Sequence, residues 1–324
     1  MKDKQTKTAV LMPGGLGDSL FFLVYYGYLR ENNTADFLFI VNEKVTIELL
    51  KMYGVSESNV FYLGGAGHFG IKEFFSNFQK IRDYTIDEVL FLPEVNVPFW
   101  TFIFKLYGIR KIISIAPKKQ HPIRNNEKLL KEAGYNGWWD TIDVSISSQE
   151  KAEFVERFFE RYKTIVGVHS GSKINKRWPV ENYLKVAQQI GNDYNVGFIF
   201  FGTEADKDKK FSVLSENILD LYGRLNLRQL FYYIKKCDVF LSNDSGLMHI
   251  AALSGVKTIG LFGPTDWDVY YPFGKENIVI HGNLECQPCY NKGRFSCAEI
   301  PPKCMRRITV EQVVEAIRKA IDRS

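Results

Sequence analysis

"SNDSGLMHIAALSGVKTIGLFGPTD" (residues 242–266) decides the fold. An apolar run ends at Ser242, Asp244-Ser245-Gly246 open a helical stretch closed by Gly255, and a second apolar run leads into "GPTD". Strand, helix and strand in that order describe one parallel crossover unit. Working outward, "TIVGVHS" (164–170), "VGFIFFG" (196–202), "ILDLYG" (218–223), "DVFLSN" (238–243) and "TIGLFG" (258–263) read as buried strands separated by helical or loop sequence. An earlier series precedes them: "TAVLM" (8–12), "DFLFIV" (36–41), "EVLFLP" (88–93) and "KIISIA" (111–116). Two such series predict two Rossmann-like halves of an α/β fold with parallel sheets.

The helical stretch "SSQEKAEFVERFFERYK" (147–163), opened by a Ser cap with acids in its first turn, lies where the pattern restarts. The expected domains are therefore 1–160 and 161–324. The last helix, "TVEQVVEAIRKAID" (309–322), starts from a Thr cap, with a Glu expected to complete the capping box.

Composition narrows the class. The 324 residues are 45% hydrophobic and 24% charged, which suits a soluble globular chain of two domains. No apolar stretch is long enough to span a membrane and no secretion signal is visible, so a cytoplasmic protein is expected. The net charge of +5 suits phosphates or an anionic membrane surface, and equally a basic surface with no partner. No dense Lys/Arg stripe points to nucleic acid.

Ligands of open α/β sheets lie beyond the carboxyl ends of the strands, so the polar residues there carry the functional reading. In the opening stretch, Gly246, Leu247 and Met248 present free helix N–H groups suited to a diphosphate, and His249 lies one turn further in. The same residues also suit a capped core helix. In "HSGSKINKRWP" (169–179), Ser170, Gly171 and Ser172 offer small donors, while Lys173, Lys176 and Arg177 offer positive charge. "MPGGLGDSLFF" (12–22) follows the first strand, but Leu20 stands where a third glycine would complete a dinucleotide loop. Asp18 would repel a pyrophosphate there. A helix N-terminus keeps such a carboxylate ionised, ready to accept a hydroxyl proton, and simple N-capping is the plainer reading of the same residue.

"GGLGDSLFF", "KRWPVENY" and "NDSGLMHIAALSGVKTIGLFGPTD" together resemble the signature blocks of the ADP-heptose glycosyltransferases, glycosyltransferase family 9. The resemblance implies the GT-B fold, in which two Rossmann-like domains face each other across a cleft. The acceptor is expected on the N-terminal domain and the nucleotide-sugar on the C-terminal one. It implies Asp18 as base, Lys176 as phosphate ligand, and donor contacts from Asp244, Ser245, Gly246, Leu247 and His249, with Glu204 a looser match to a ribose-binding acid. In this family's fold the last helix is expected to return to the N-terminal domain. The implied activity is inverting transfer of a heptose from ADP-heptose to a glycan, a lipopolysaccharide core, another lipid-linked sugar or a protein. The chemistry agrees: one base deprotonates the acceptor, and a diphosphate leaves without being protonated.

"CQPCYNKGRFSCAEIPPKCM" places Cys286, Cys289, Cys297 and Cys304 in a C-x2-C-x7-C-x6-C run. Four thiols this close in a cytoplasmic protein read as a structural zinc or iron knuckle over 286–304. The run resembles cysteine motifs of some family members, including autotransporter heptosyltransferases that carry iron. Cys237 reads as core. Four reduced cysteines without metal are the alternative.

Other readings stay open at this stage. A hydrolysing nucleotide-sugar epimerase of the same architecture would need further acids near the sugar. A nicotinamide dehydrogenase would use Gly15 and Gly17 with Glu43 as ribose acid, and a non-enzymatic sugar-nucleotide sensor would bind without transfer. Lys118, Lys119, Arg124 and the aromatics of "PFWTFIFKLYG" (98–108) suit an acidic lipid-linked acceptor or a peripheral contact at the inner face of the cytoplasmic membrane. A homo-oligomer is compatible with all of these readings.

Overall fold

The computed structural model describes residues 6–12, 14–31, 37–63, 81, 84–93, 95, 97–135, 142, 144–193, 195–211, 215–290, 297 and 299–322. The chain divides into two compact units, Met1–Asp140 and Thr141–Ser324. The division precedes the helix Glu153–Arg161 rather than following it. That helix belongs to the second unit: Phe158 and Tyr162 close over Gly197 of a strand, and Glu156 pairs with Lys236 at 2.6 Å.

The first unit is built on a sheet of β1 (Thr6–Met12), β2 (Phe37–Val41), β3 (Val60–Tyr62), β4 (Thr85–Phe91) and β5 (Lys111–Ser114), in the order β3-β2-β1-β4-β5. All its pairings are parallel. Ala9, Val10 and Leu11 are wholly buried, as expected of a central strand covered on both faces. The opening helical stretch is two helices, Leu16–Leu23 and Tyr26–Glu31. Among the described residues no helix is long and apolar enough to cross a membrane.

The second unit carries β6 (Thr164–His169), β7 (Val196–Phe200), β8 (Ile218–Asp220), β9 (Val239–Asn243), β10 (Lys257–Phe262) and β11 (Ile278–His281). Their order, β11-β10-β9-β6-β7-β8, is again parallel throughout. Both sheets reverse their winding direction once, between β1 and β4 and between β6 and β9. Those switch points are where connecting loops diverge and leave a crevice.

The last helix, Val310–Asp322, buries Val313, Ile317 and Ala320 in the second unit's own core, with Val186 and Ile190 of the helix Val180–Asp193. Its capping box is closed by Gln312, whose side chain accepts from Thr309 N–H while Thr309 Oγ1 accepts from Gln312 N–H; Glu311 takes no part in it.

One buried amide fixes the loops at the second switch point. Asn243, with no exposed surface, ends β9. Its Oδ1 accepts from Trp178 N–H at 3.0 Å and from Tyr183 Oη at 2.8 Å. Its Nδ2 donates to the carbonyls of Ser170 at 2.8 Å and Gly171 at 3.2 Å. These contacts use the full capacity of the amide. Asn243→Ala leaves four buried partners unsatisfied, and with partial relaxation should destabilise the second unit by about 3 kcal/mol. Urea unfolding followed by circular dichroism measures this; a loss below about 0.5 kcal/mol would show that the loops hold without it.

Candidate functional site

Every donor-side residue singled out in the sequence lies at the carboxyl edge of the second sheet. His169 of β6 pairs in register with Ser242 of β9, so the loops that follow them start side by side. The loop after β6 carries Ser170, Gly171 and Ser172 and then a short 3-10 turn, Ile174–Lys176. From that turn the Lys176 ammonium reaches Asp244 Oδ2 at 2.6 Å, with the two side chains only 13% and 8% exposed. Thr265 Oγ1 donates to the same oxygen at 2.7 Å, and Ser172 Oγ donates to the Asp244 carbonyl at 2.8 Å. The pair therefore bridges the switch point, with hydrogen bonds from both flanking loops.

The helix Gly246–Leu253 starts immediately beyond this pair. Ser245 is its N-cap, its Oγ accepting from Met248 N–H at 3.4 Å. Gly246 and Leu247 are half-buried and present the first helix N–H groups at the carboxyl edge. His249 is buried, and burial lowers its pKa to about 4; Asp244 partly offsets that fall and Lys176 adds to it. The imidazole is neutral at physiological pH. Glu204 opens a 3-10 turn after β7, is exposed, and lies beside Gly223 at the end of β8. It shares the carboxyl edge with the Lys176–Asp244 pair but lies further along it.

Sequence reasoning missed several participants. Asn243 and Thr265 lie inside the quoted 242–266 stretch; the partners of Asn243 are distant in the chain, and Thr265 meets Asp244 of the same stretch only through the fold. Tyr222 Oη lies 2.5 Å from Ser170 Oγ, and Asp206 fills the space where a Cβ at Gly171 would stand. A glycine is required at that close approach.

In the first unit, Gly15 is the extended N-cap of Leu16–Leu23 and makes no side-chain cap bond. Asp18 occupies the third helical position, which sets aside the plain N-cap reading. Ser19 Oγ anchors the turn by donating to the Gly15 carbonyl at 2.9 Å. The Asp18 carboxylate folds back over Gly14, where any Cβ would collide with it. A dinucleotide loop would offer its pyrophosphate that approach to the glycines, and a carboxylate is there instead. Glu43, the ribose acid of the dehydrogenase reading, is only the N-cap position of Lys44–Met52 and makes no side-chain cap bond.

Cys286, Cys289, Cys297 and Cys304 line one cavity of about 340 Å³, together with Pro264, Asn175 and Lys303. Burial pushes the Cys304 thiol up to about 11, and the other three cysteines add to the rise. Among the described residues no group of three or more side chains is drawn close enough to hold a metal ion as it stands. Cys237 is buried away from the cavity in the core, as expected.

The model of glycosyltransferase family 9 (heptosyltransferase) matches residues 107–297. Lipooligosaccharide heptosyltransferase 2 of Campylobacter jejuni is 31% identical over 166 residues, 48% of this chain and 51% of that one. The chain spans about half the length of the curated relatives it matches. Among solved structures, a family 9 glycosyltransferase from Veillonella parvula superposes with a TM-score of 0.73 at 19% identity, covering 99% of this chain and 98% of that one. The Escherichia coli ADP-heptose lipopolysaccharide heptosyltransferase II gives 0.69 at 18%, covering 98% and 99%. The iron-containing dodecameric glycosyltransferase TibC of E. coli gives 0.63 at 12%, covering 99% and 77%. These likenesses identify the fold as GT-B, consistent with two parallel sheets of matching topology. The family match covers more than half of the sequence, and the chain belongs to glycosyltransferase family 9.

Proposed function

We propose that the protein is an inverting glycosyltransferase that moves a heptose from ADP-heptose to a sugar acceptor. The observation that carries this reading is the buried Lys176–Asp244 pair, set across the switch point beside a helix N-terminus. A cation held in place and free N–H groups form a preorganised site for charge that grows on a leaving diphosphate. The lysine does not have to be recruited from solvent, so little reorganisation accompanies bond breaking.

Asp18 is the base. Its carboxylate takes the proton of the acceptor hydroxyl as that oxygen forms a bond to the anomeric carbon. The bond from that carbon to the diphosphate breaks on the opposite face, and ADP leaves with the electron pair. Lys176, exchanging part of its contact with Asp244 for a phosphate oxygen, meets the new charge together with the N–H groups of Gly246 and Leu247. Ser170, Ser172, Ser245 and His249 complete the donor's surroundings, with Glu204 toward the ribose. An epimerase needs further acids near the sugar, whereas here the Asp244 carboxylate is engaged by Lys176 and Thr265.

The acceptor of this reading is a lipid-linked or lipopolysaccharide-core sugar met at a membrane surface. Its support is the helix Val97–Leu106, where Phe99, Phe102 and Leu106 are 48%, 61% and 58% exposed at one-face spacing. Lys105, Lys118 and Lys119 are exposed nearby in sequence, a combination suited to anionic headgroups.

The four cysteines, in this reading, hold one zinc or iron ion. A set of four thiols lining one cavity suits either metal in a closed, structural role. The ion would supply cross-linking of the segment between β11 and the last helix, and no step of transfer runs through it.

Three measurements test these assignments. Asp18→Asn should cut turnover about 10²–10⁴-fold, with ADP affinity by calorimetry unchanged, whereas Lys176→Ala should lower both; near-wild-type turnover by Asp18→Asn would remove the base from the mechanism. Elemental analysis should find about one zinc or iron per chain, and Cys289→Ser should lose it together with several degrees of thermal stability; a metal-free protein as stable as the metal-loaded one contradicts the knuckle. The purified protein should co-sediment with phosphatidylglycerol vesicles, and Phe102→Glu should weaken that binding several-fold. Wild-type protein left in the supernatant would rule out the membrane face.

A further inference from the structure

Tyr290 follows Cys289 and belongs to none of the motifs that point to the donor. Its ring nevertheless lies against both lysines of the switch-point loop. Lys176 Nζ stands 5.1 Å from the ring centroid and Lys173 Nζ 5.6 Å, and Lys173 also donates to Tyr290 Oη at 3.3 Å. The ring is held by its own backbone: the N–H groups of Cys289 and Tyr290 both donate to the Pro264 carbonyl, at 2.9 Å each. Pro264 precedes Thr265, which donates to Asp244. Lys176 is thus held between a carboxylate at 2.6 Å and an aromatic face.

Two ammonium groups drawn to one ring repel each other. Asp244 neutralises one of them, and the Lys173 ammonium is in contact with Tyr290 and with no carboxylate among the described residues. An aromatic face attracts each cation without cancelling its charge. The arrangement therefore keeps an excess positive charge beside the helix N-terminus of Gly246–Leu253. That is the chemistry of a site for a doubly charged phosphate anion.

We infer that Tyr290 is a positioning residue for the donor diphosphate, gathering Lys173 and Lys176 so that the anion meets two cations. The inference rests on the reading of Lys176 as a phosphate ligand. Tyr290→Phe keeps the ring and removes the contact of the hydroxyl with Lys173. Tyr290→Leu loses the aromatic face altogether.

The test is calorimetric titration with inorganic pyrophosphate and with ADP, alongside donor kinetics. Tyr290→Phe should bind pyrophosphate within about twofold of wild type, and Tyr290→Leu about 5- to 30-fold more weakly. The donor KM should rise with Tyr290→Leu by a similar factor, and Tyr290→Phe should restore it. In a Lys176→Ala background the effect of Tyr290→Leu should shrink to about twofold, because the two residues act through one contact. Equal pyrophosphate affinity in Tyr290→Leu and wild type, or the same loss with and without Lys176, would overturn the inference. If Tyr290→Leu does not fold, Lys173→Met reads the same arrangement: a loss of several-fold supports it and unchanged affinity defeats it. A wild-type protein that shows these pyrophosphate effects but transfers no heptose would retain the two-lysine anion site while removing the proposed reaction. A wild type that binds neither pyrophosphate nor ADP would remove both.

Discussion

Asn243 is the constraint on which the second unit's site depends. One side-chain amide satisfies a tryptophan N–H, a tyrosine hydroxyl and two carbonyls, all buried. Those four groups belong to the loop after β6, the "RWP" turn and the helix Val180–Asp193. Without the amide each would need another partner or remain buried and unsatisfied. Because Asn243 immediately precedes Asp244, the bond network that fixes the loops also fixes where the carboxylate emerges. The position of the Lys176 ammonium follows from that of Asp244.

A buried ion pair is a poor source of stability, since desolvating two charges offsets most of their attraction. The Lys176–Asp244 pair, below 15% exposure on both sides, makes more sense as a means of keeping a cation in a place it would otherwise leave. The hydrogen bonds from Thr265 Oγ1 and Ser172 Oγ fix the acid, and the acid fixes the Lys176 ammonium. A lysine on a surface loop would lose side-chain entropy each time it met a ligand. Here much of that loss has been taken in folding. The neutral His249, buried and coupled electrostatically to both members of the pair, adds no competing charge.

Much of this was legible in the sequence because central parallel strands are buried on both faces and so appear as continuous apolar runs. β2, β5, β6, β7, β8 and β9 fall within the apolar runs read from the sequence, and β1, β4 and β10 overlap theirs. β3 and β11, sheet-edge strands of three and four residues, were not recognised. Asp244 could be singled out because it directly follows a buried strand, whereas Asp18 and Lys176 lie several residues into the loops after β1 and β6 and were singled out with the help of the family resemblance. Asn243 and Tyr290 were not, because their meaning lies in partners 60 to 117 positions away. The capping box of the last helix, by contrast, is local and readable from spacing. Glu311 and Gln312 are adjacent and chemically suitable, and the Thr309-x-x-Gln312 spacing already selects the second.

The "FGPT" turn after β10 joins what the sequence presents as two separate features. Thr265 reaches inward to Asp244, while the Pro264 carbonyl reaches outward to the backbone of Cys289 and Tyr290. The Gly263 carbonyl accepts from Gln287 Nε2 at 2.6 Å, and its α-carbon lies against Met305 and Cys304, leaving no room for a larger residue. Pro264 also lines the cysteine cavity. Any change that moves the cysteine segment must therefore stretch hydrogen bonds to a turn whose next residue holds the donor-side acid. A rigid turn of four residues transmits displacement better than a flexible loop, because it has few dihedrals in which to absorb it. The cysteines are distant from the sugar chemistry in sequence, yet only one residue of backbone separates the segment they belong to from the network around Asp244. That proximity gives a structural role for the cysteine region a direct consequence for the site without placing any thiol in it.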